Sequence, residues 1–302
     1  MKKKIEFPTY DGLYALSGTV YLPEGFTGPV PAIIVSGGMA DSAERLEPTA
    51  EAFARQGFGV LLYEHRNHGP SGGEPRLEVD PVAQGRDMKM AITFAQTVKD
   101  FDPNRIGLWG SSFGGGNALD VAAYDKRIKA VVSQVPWISG YEIVIRTGGQ
   151  PLMEAFQQII EGEWRKVLAG EASPTVALGR TKDDPSTEFS LFRDDEAMNY
   201  FNNGPMGNPA SWVNGITLRS LAYLLEYDIS AHAKRISPTP LMMILASNDA
   251  TMHVEPAFQF YQSALEPKEL VTIACRHYEV YLPEGKFIQA TEAAVRWFKT
   301  HL

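Results

Sequence analysis

Three residue types that can together activate a hydroxyl occur in a telling order. Ser112 sits in Gly110-Ser111-Ser112-Phe113-Gly114, Asp249 follows Ser247-Asn248, and His277 follows Cys275-Arg276. A serine hydroxyl is a poor nucleophile at neutral pH and needs a base to take its proton during attack. An imidazole titrates near working pH and suits that task. A carboxylate behind it holds the correct tautomer and stabilises the imidazolium. The chemistry this set can do is acyl transfer through a covalent serine ester. Its oxyanion needs two donors, expected to be the backbone N–H groups of Phe113, next after the serine, and of Met39, in the loop after the third strand.

The Gly-x-Ser-x-Gly register centres on Ser112. Centring it on Ser111 would put Trp109 and Phe113 where small residues are needed. The need is steric, because a serine on a sharp strand-to-helix turn occupies strained backbone angles and its flanks must let strand and helix approach. Each partner also has a plainer reading. Asp249 could serve only as a helix N-cap, with Glu142 as the alternative acid. His277 could be a surface histidine. His253 and His301 read as structural or solvated, and His65 and His68 as part of a scaffold turn. Trp137 and the aromatics that follow it suit a core as well as a substrate wall.

The elements that must position these groups alternate. Residues 4–22 read as a hairpin around Asp11-Gly12. Ala32–Val35, Gly59–Tyr63, Arg105–Trp109 and Ala130–Val135 are apolar runs typical of strands buried on both faces. Helices are expected with apolar positions at Leu46, Ala50, Phe53 and Ala54, closed by Gln56-Gly57, and near 81–99 and 113–124, and Asp102-Pro103-Asn104 is expected to turn the chain into the central strand. Strands near 241–246 and 270–274, with helices near 254–265 and 285–300, complete the pattern. This predicts an α/β fold, a mostly parallel eight-stranded sheet with helices on both faces. Ligands of such sheets bind beyond the carboxyl ends of the strands, where Ser112, Asp249 and His277 all fall. Residues 140–232 break the rhythm and show no clear buried strand. They are read as a mostly helical inserted cap, with helices over Leu152–Leu168 and Trp212–Leu225, and residues 1–139 and 233–302 as the core.

Composition narrows the partners. The chain has 302 residues, 44% hydrophobic and 21% charged, with a formal charge of −8. That balance argues against nucleic acid and anionic membrane surfaces. No signal-peptide or membrane-spanning run is evident. The single cysteine, Cys275, precludes an internal disulfide, fits a reducing cytoplasmic compartment, and is expected to pack. No Cys/His cluster has zinc spacing, so neither a metal nor another cofactor is expected. The expected partner is a small-molecule substrate, and a homodimer is left open.

The strand–turn–helix around Ser112 is what the nucleophile elbow of α/β-hydrolases requires. Taken with Tyr63-Glu64-His65-Arg66 through Gly72-Gly73-Glu74-Pro75-Arg76, Glu78-Val79-Asp80-Pro81, Asp102 to the elbow, Val132-Ser133-Gln134-Val135-Pro136, and Pro238 through Asp249 and His277, the chain resembles the polyketide-transferase and dienelactone-hydrolase-like α/β-hydrolases of secondary metabolism. The resemblance covers most of 30–140 and 236–300. It implies an α/β-hydrolase fold and hydrolysis of an ester, thioester or lactone, or acyl transfer to a hydroxyl. The family's serine, aspartate and histidine fall on Ser112, Asp249 and His277. Two loops depart from the family pattern: Gly37-Gly38 stands where His-Gly is usual, and Cys275-Arg276 where two glycines are usual. Arg276 is expected to place a cation beside His277 and to join Trp137 in the substrate pocket. A serine hydrolase is the first reading, an acyltransferase or non-hydrolytic enzyme the second, and a non-catalytic ligand-binding homologue the third.

Overall fold

The Asp11-Gly12 signal folds as expected. Strand β1 (Lys2–Pro8) pairs antiparallel with β2 (Ala15–Tyr21), in a register that sets Phe7 opposite Leu16. Gly12 takes φ 72° in the turn, where a side chain would be strained. These coordinates are a computed structural model, which describes residues 1–181, 184–203, 208–282 and 285–302.

The buried apolar runs become β3 (Val30–Ser36), β4 (Gly59–Tyr63), β5 (Phe101–Ser111) and β6 (Ile128–Gln134). Between them lie α1 (Glu47–Arg55), α2 (Pro81–Thr97) and α3 (Phe113–Tyr124). Asp80 caps α2 through its side chain, with Pro81 at the first helical position. The Asp102-Pro103-Asn104 signal does not precede the central strand but lies inside it. The register jumps from Val30↔Phe101 to Ala32↔Ile106, so residues 102–105 bulge out opposite Pro31. The turn residues are accommodated as an irregularity at the strand's entrance, where Asp102 accepts from the Asn104 amide at 2.9 Å.

After β6 the chain leaves the sheet. Helix α4 (Gly140–Leu168) starts earlier than expected and breaks at Gly149, where φ 65° and ψ −160° lie outside the helical region, just before Pro151. The insert is less purely helical than the sequence suggests. It holds β7 (Thr175–Gly179), β8 (Ser190–Phe192), α5 (Asp195–Asn203), β9 (Ile216–Thr217) and α6 (Arg219–Glu226). Strand β7 runs parallel to β8 and antiparallel to β9. These strands are two to five residues long, too short for a periodic signal. Trp212, expected to open a helix, lies before β9 instead.

The sheet resumes with β10 (Leu241–Ala246), α7 (Val254–Ser263), β11 (Lys268–Ile273) and α8 (Lys286–His301). The eight-stranded order is β1-β2-β4-β3-β5-β6-β10-β11, parallel from β4 onward. Each face carries its own core. On β3, Ile34 packs into the cluster that holds α2 and α3, while Ile33 and Val35 pack into the cluster that holds α1 and α8. On that second face Phe53 meets Trp109 and Phe298 edge-on, at 6.1 and 5.8 Å between ring centres. Two covered faces pin strand register, and register sets where the loops beyond the carboxyl ends emerge.

Candidate active site

Ser112 stands between the end of β5 and the first residue of α3 with φ 55° and ψ −122°. That backbone is strained for a side-chain-bearing residue. Three bonds hold it: its amide donates to Gln134 O at 2.9 Å, and its carbonyl accepts from Trp137 and Gly116 amides at 3.0 and 3.2 Å. The glycines act as the spacing requires. A Cβ on Gly110 would lie 2.1 Å from the Gly114 carbonyl oxygen, and one on Gly114 would lie 2.2 Å from the Gly37 carbonyl oxygen. The turn is thus pressed against the loop after β3, which brings that loop's amides beside the serine.

The three chemistry-bearing side chains meet. His277 Nε2 lies 3.1 Å from Ser112 Oγ, and His277 Nδ1 lies 2.8 Å from Asp249 Oδ2. All three residues are buried. Asp249 also takes the amides of Thr251 and Met252 on Oδ1, at 3.0 and 2.8 Å. Asp249 does not cap α7, whose N-cap is His253; its bonds to the turn amides and to the imidazole use different oxygens. Burial pushes the Asp249 carboxyl upward, but the His277 charge and hydrogen bond and the two amides outweigh it, leaving the pKa below its ordinary value. An ionised carboxylate can only accept, so Nδ1 is the donor to Asp249, which leaves Nε2 facing the serine hydroxyl.

A narrow cleft opens onto Ser112 and His277. Gly38, Met39 and Trp137 line it, with Phe192, Tyr200 and Phe201 from the insert. Among the described residues neither the Met39 nor the Phe113 amide is paired with an acceptor. Trp137 packs edge-on to Phe113 at 6.0 Å and stands in the wall. Arg276 does not join it. Its side chain is exposed outside the cleft, and its amide donates to Glu279 Oε2 at 2.6 Å.

The other candidates lie elsewhere. Glu142 is bonded to Arg146 at 3.0 Å. His65 and His68 are buried in the scaffold turn, where Nε2 of His65 meets Ser36 Oγ at 3.1 Å and Nδ1 of His68 meets Arg66 O at 2.9 Å. Burial, with the His68 charge added, pushes the His65 imidazole down to about 3. His253 bonds Thr147 at 3.1 Å. Cys275 is buried in the second core, as a packing residue should be. Among the described residues no group of histidine, cysteine and carboxylate side chains could hold a metal ion.

Sequence reasoning missed a polar knot at the cleft's edge. Asp41, which lines the cleft, is paired with Arg45 at 3.2 Å and accepts from Tyr200 Oη at 3.1 Å. The Arg45 guanidinium lies 4.3 Å from the Trp212 ring centre, and it also bonds Asn208 Oδ1. The four-residue spacing of Asp41 and Arg45 was the available signal, but their aromatic partners lie over 150 positions away.

Comparison with known proteins agrees with this architecture. The model of the X-Pro dipeptidyl-peptidase (S15) family matches residues 11–279. The thiohydrolase aneE of Aspergillus aculeatus is 30% identical over 300 residues, covering 97% of this chain and 92% of that protein. The polyketide transferase grgF of a Penicillium species is 30% identical over 270 residues, covering 89% and 86%. A solved α/β-hydrolase, GrgF from Penicillium sp. sh18, superposes with a TM-score of 0.82 at 25% identity, covering 100% of this chain and 99% of that one. The expectation of a hydrolase on an α/β-hydrolase scaffold stands, and the chain belongs to the X-Pro dipeptidyl-peptidase (S15) family.

Proposed function

We propose that this hydrolase cleaves a small or medium neutral ester, thioester or lactone through an acyl-enzyme on Ser112. The observation that carries the reading is the unbroken hydrogen-bonded line from Ser112 Oγ through His277 to Asp249 Oδ2. Ser112 Oγ attacks the acyl carbon while its proton passes to His277 Nε2. The amides of Met39 and Phe113 receive the oxyanion, each such donor being worth roughly 10²–10³ in rate. His277 returns the proton to the departing alcohol or thiol. Water then enters, gives a proton to His277, and releases the acid. Residues 140–232 act as a cap over a core formed by 1–139 and 233–302, and the enzyme works in the cytoplasm.

The cleft wall bears on the substrate class. It is mainly aromatic, and among the described residues its carboxylate besides the triad, Asp41, is committed to Arg45 and Tyr200. A free amino terminus would need an uncommitted carboxylate, so the wall favours an uncharged acyl group over a dipeptide. The relatives named as thiohydrolases agree with a thioester. A second reading, acyl transfer to an alcohol, is favoured by the same aromatic wall, since a dry site slows water's attack, and by relatives named acyltransferase and polyketide transferase.

The test is Ser112→Ala. Turnover of p-nitrophenyl acetate and of an N-acetylcysteamine thioester, and labelling by a fluorophosphonate, should all be lost while the thermal unfolding profile is kept. Normal turnover by this variant overturns the reading. Adding an alcohol separates hydrolysis from transfer, because only the transferase yields a new ester.

A further inference from the structure

Outside the cleft lies a second line of hydroxyl, imidazole and carboxylate. Asp120 and Tyr124 stand four residues apart at the end of α3, on one face of the helix. The 3₁₀ turn Ser230–Arg235 packs beside them. Its His232 places Nδ1 2.7 Å from Asp120 Oδ1 and Nε2 3.3 Å from Tyr124 Oη, with the Tyr124 and imidazole rings edge-on at 5.3 Å. Its Arg235 donates from Nη1 to the same Tyr124 oxygen. What each group can do sets the direction of these bonds. A guanidinium only donates, so the phenol oxygen accepts from Arg235 and its proton is free to point at His232 Nε2. A carboxylate only accepts, so Nδ1 donates to Asp120. The line therefore runs one way, from Tyr124 through His232 to Asp120. Lys126 ties the two elements together, donating to Ala122 O at 3.1 Å and to Ile236 O at 3.0 Å.

We propose that Tyr124 is a modification site, a surface phenol that takes an acyl group from an activated ester, with His232 as its base and Asp120 orienting that base. The pattern is a nucleophile within hydrogen-bond reach of a base that a third group holds in place. Access suits it too. Tyr124 is 51% exposed, whereas the His232 and Asp120 side chains are only 22% and 25% exposed. An electrophile in solvent meets the phenol while the base behind it is sheltered. In the step, the Tyr124 O–H bond breaks and its proton passes to His232 Nε2. The phenol oxygen bonds the acyl carbon, and the ester's alcohol leaves with its electron pair. Arg235 on the oxygen, and Lys89 Nζ at 5.7 Å from the ring centre, set positive charge beside the group that loses the proton. None of these residues lines the cleft, so the site acts independently of Ser112.

Acetylation by p-nitrophenyl acetate tests this, followed by peptide mass spectrometry in Ser112→Ala protein so that the cleft does not consume the reagent. Tyr141, 52% exposed, is the reference for exposure alone. At about pH 8, above the ordinary range of an imidazole, Tyr124 should be acetylated about a hundredfold faster than Tyr141, the low end of what a positioned base supplies. His232→Gln keeps a hydrogen-bonding side chain but removes the base. It should bring Tyr124 close to the Tyr141 rate at an unchanged melting temperature. Equal rates at the two tyrosines in the protein with His232 intact overturn the proposal, and so does an undiminished Tyr124 rate in His232→Gln. Either result would make the cluster a tie between α3 and the 230–235 turn and nothing more. Should His232→Gln unfold, Asp120→Asn keeps the imidazole and removes the charge that orients it. A Tyr124 rate reduced about tenfold, the size of one charge-assisted hydrogen bond, supports the proposal, and an unchanged rate overturns it. If Ser112→Ala still turned the ester over, the acyl-enzyme reading would fail, but the comparison of the Tyr124 and Tyr141 peptides would still decide this one.

Discussion

The Tyr200 hydroxyl donates to Asp41 Oδ2 over 3.1 Å, and through that bond a helix of the insert reaches the loop that carries the Met39 amide. The contact is reinforced on both sides. Trp212 Nε1 donates to Ala40 O at 3.0 Å, and Arg45 lies against the Tyr200 and Trp212 rings while pairing with Asp41. The insert also touches the histidine loop, where the Tyr278 amide donates to Glu196 Oε1 at 2.7 Å. The two loops that flank Ser112 thus share one support.

Arg45 and Asp41 are both buried, so removing one strands the other. Arg45→Met should cost about 3–5 kcal/mol, the usual penalty for a buried charge left without its partner. Turnover should fall with it, because Met39 lies two residues before Asp41. Adding Asp41→Asn to that variant should recover much of the stability. Denaturant unfolding checks both statements, and equal stability of the single and double variants would contradict them.

Gly114→Ala places a methyl 2.2 Å from the Gly37 carbonyl oxygen and 2.7 Å from that of Ser36. Backbone atoms cannot swing aside as a side chain can, so either the elbow or the loop after β3 must move. A loss of about 1–3 kcal/mol is expected, the range for overpacking. Activity should fall further than stability implies, since the displaced loop carries one of the two oxyanion amides. Unfolding midpoints and kcat on an activated ester, measured together, check this.

Asp249→Asn keeps the shape of the acid but loses its charge. By analogy with the corresponding substitution in a serine protease triad, kcat should fall about 10⁴-fold. The stability consequence has a definite sign. The folded pKa of Asp249 is depressed, so its contribution is present above the ordinary carboxylate range and is lost as pH falls through the folded value. The stability difference between wild type and Asp249→Asn should therefore shrink as pH is lowered below about 4. Urea titrations at a series of pH values report it.

Glu64 behaves oppositely. Burial pushes its carboxyl up to about 7, with Asp41 and Glu44 adding to the rise and the Ala43 amide and Arg76 opposing it. A raised carboxyl is fully stabilising below its unfolded pKa and loses that contribution as pH rises through the folded value. Between the ordinary glutamate range and about pH 7 the folded protein should lose on the order of 3 kcal/mol through this group. Glu64→Gln should flatten that part of the stability profile, and an unchanged slope would show that the carboxyl ionises freely in the folded protein.

Much of the scaffold could be read from residues 4–135 and 241–300 because strands buried on both faces leave continuous apolar runs, and glycine marks turns that a Cβ would block. Gly110 and Gly114 are the plainest instance, each lying within 2.2 Å of a backbone oxygen once a methyl is imagined on it. The order of Ser112, Asp249 and His277 was legible for a related reason: each follows a strand, and parallel strands end on one edge. The strands β7, β8 and β9 escaped notice because two to five residues cannot display a period. Arg276 was misplaced because the conformation of the loop between β11 and the turn that starts at His277 decides which neighbour faces the cleft, and spacing does not fix it. Local pattern determined which residues could do chemistry and on which loops they ride. Tertiary packing alone decided that Tyr200 would bond Asp41 and that Tyr281 would bond Ser111, because contacts between residues more than 150 positions apart leave no trace in local spacing.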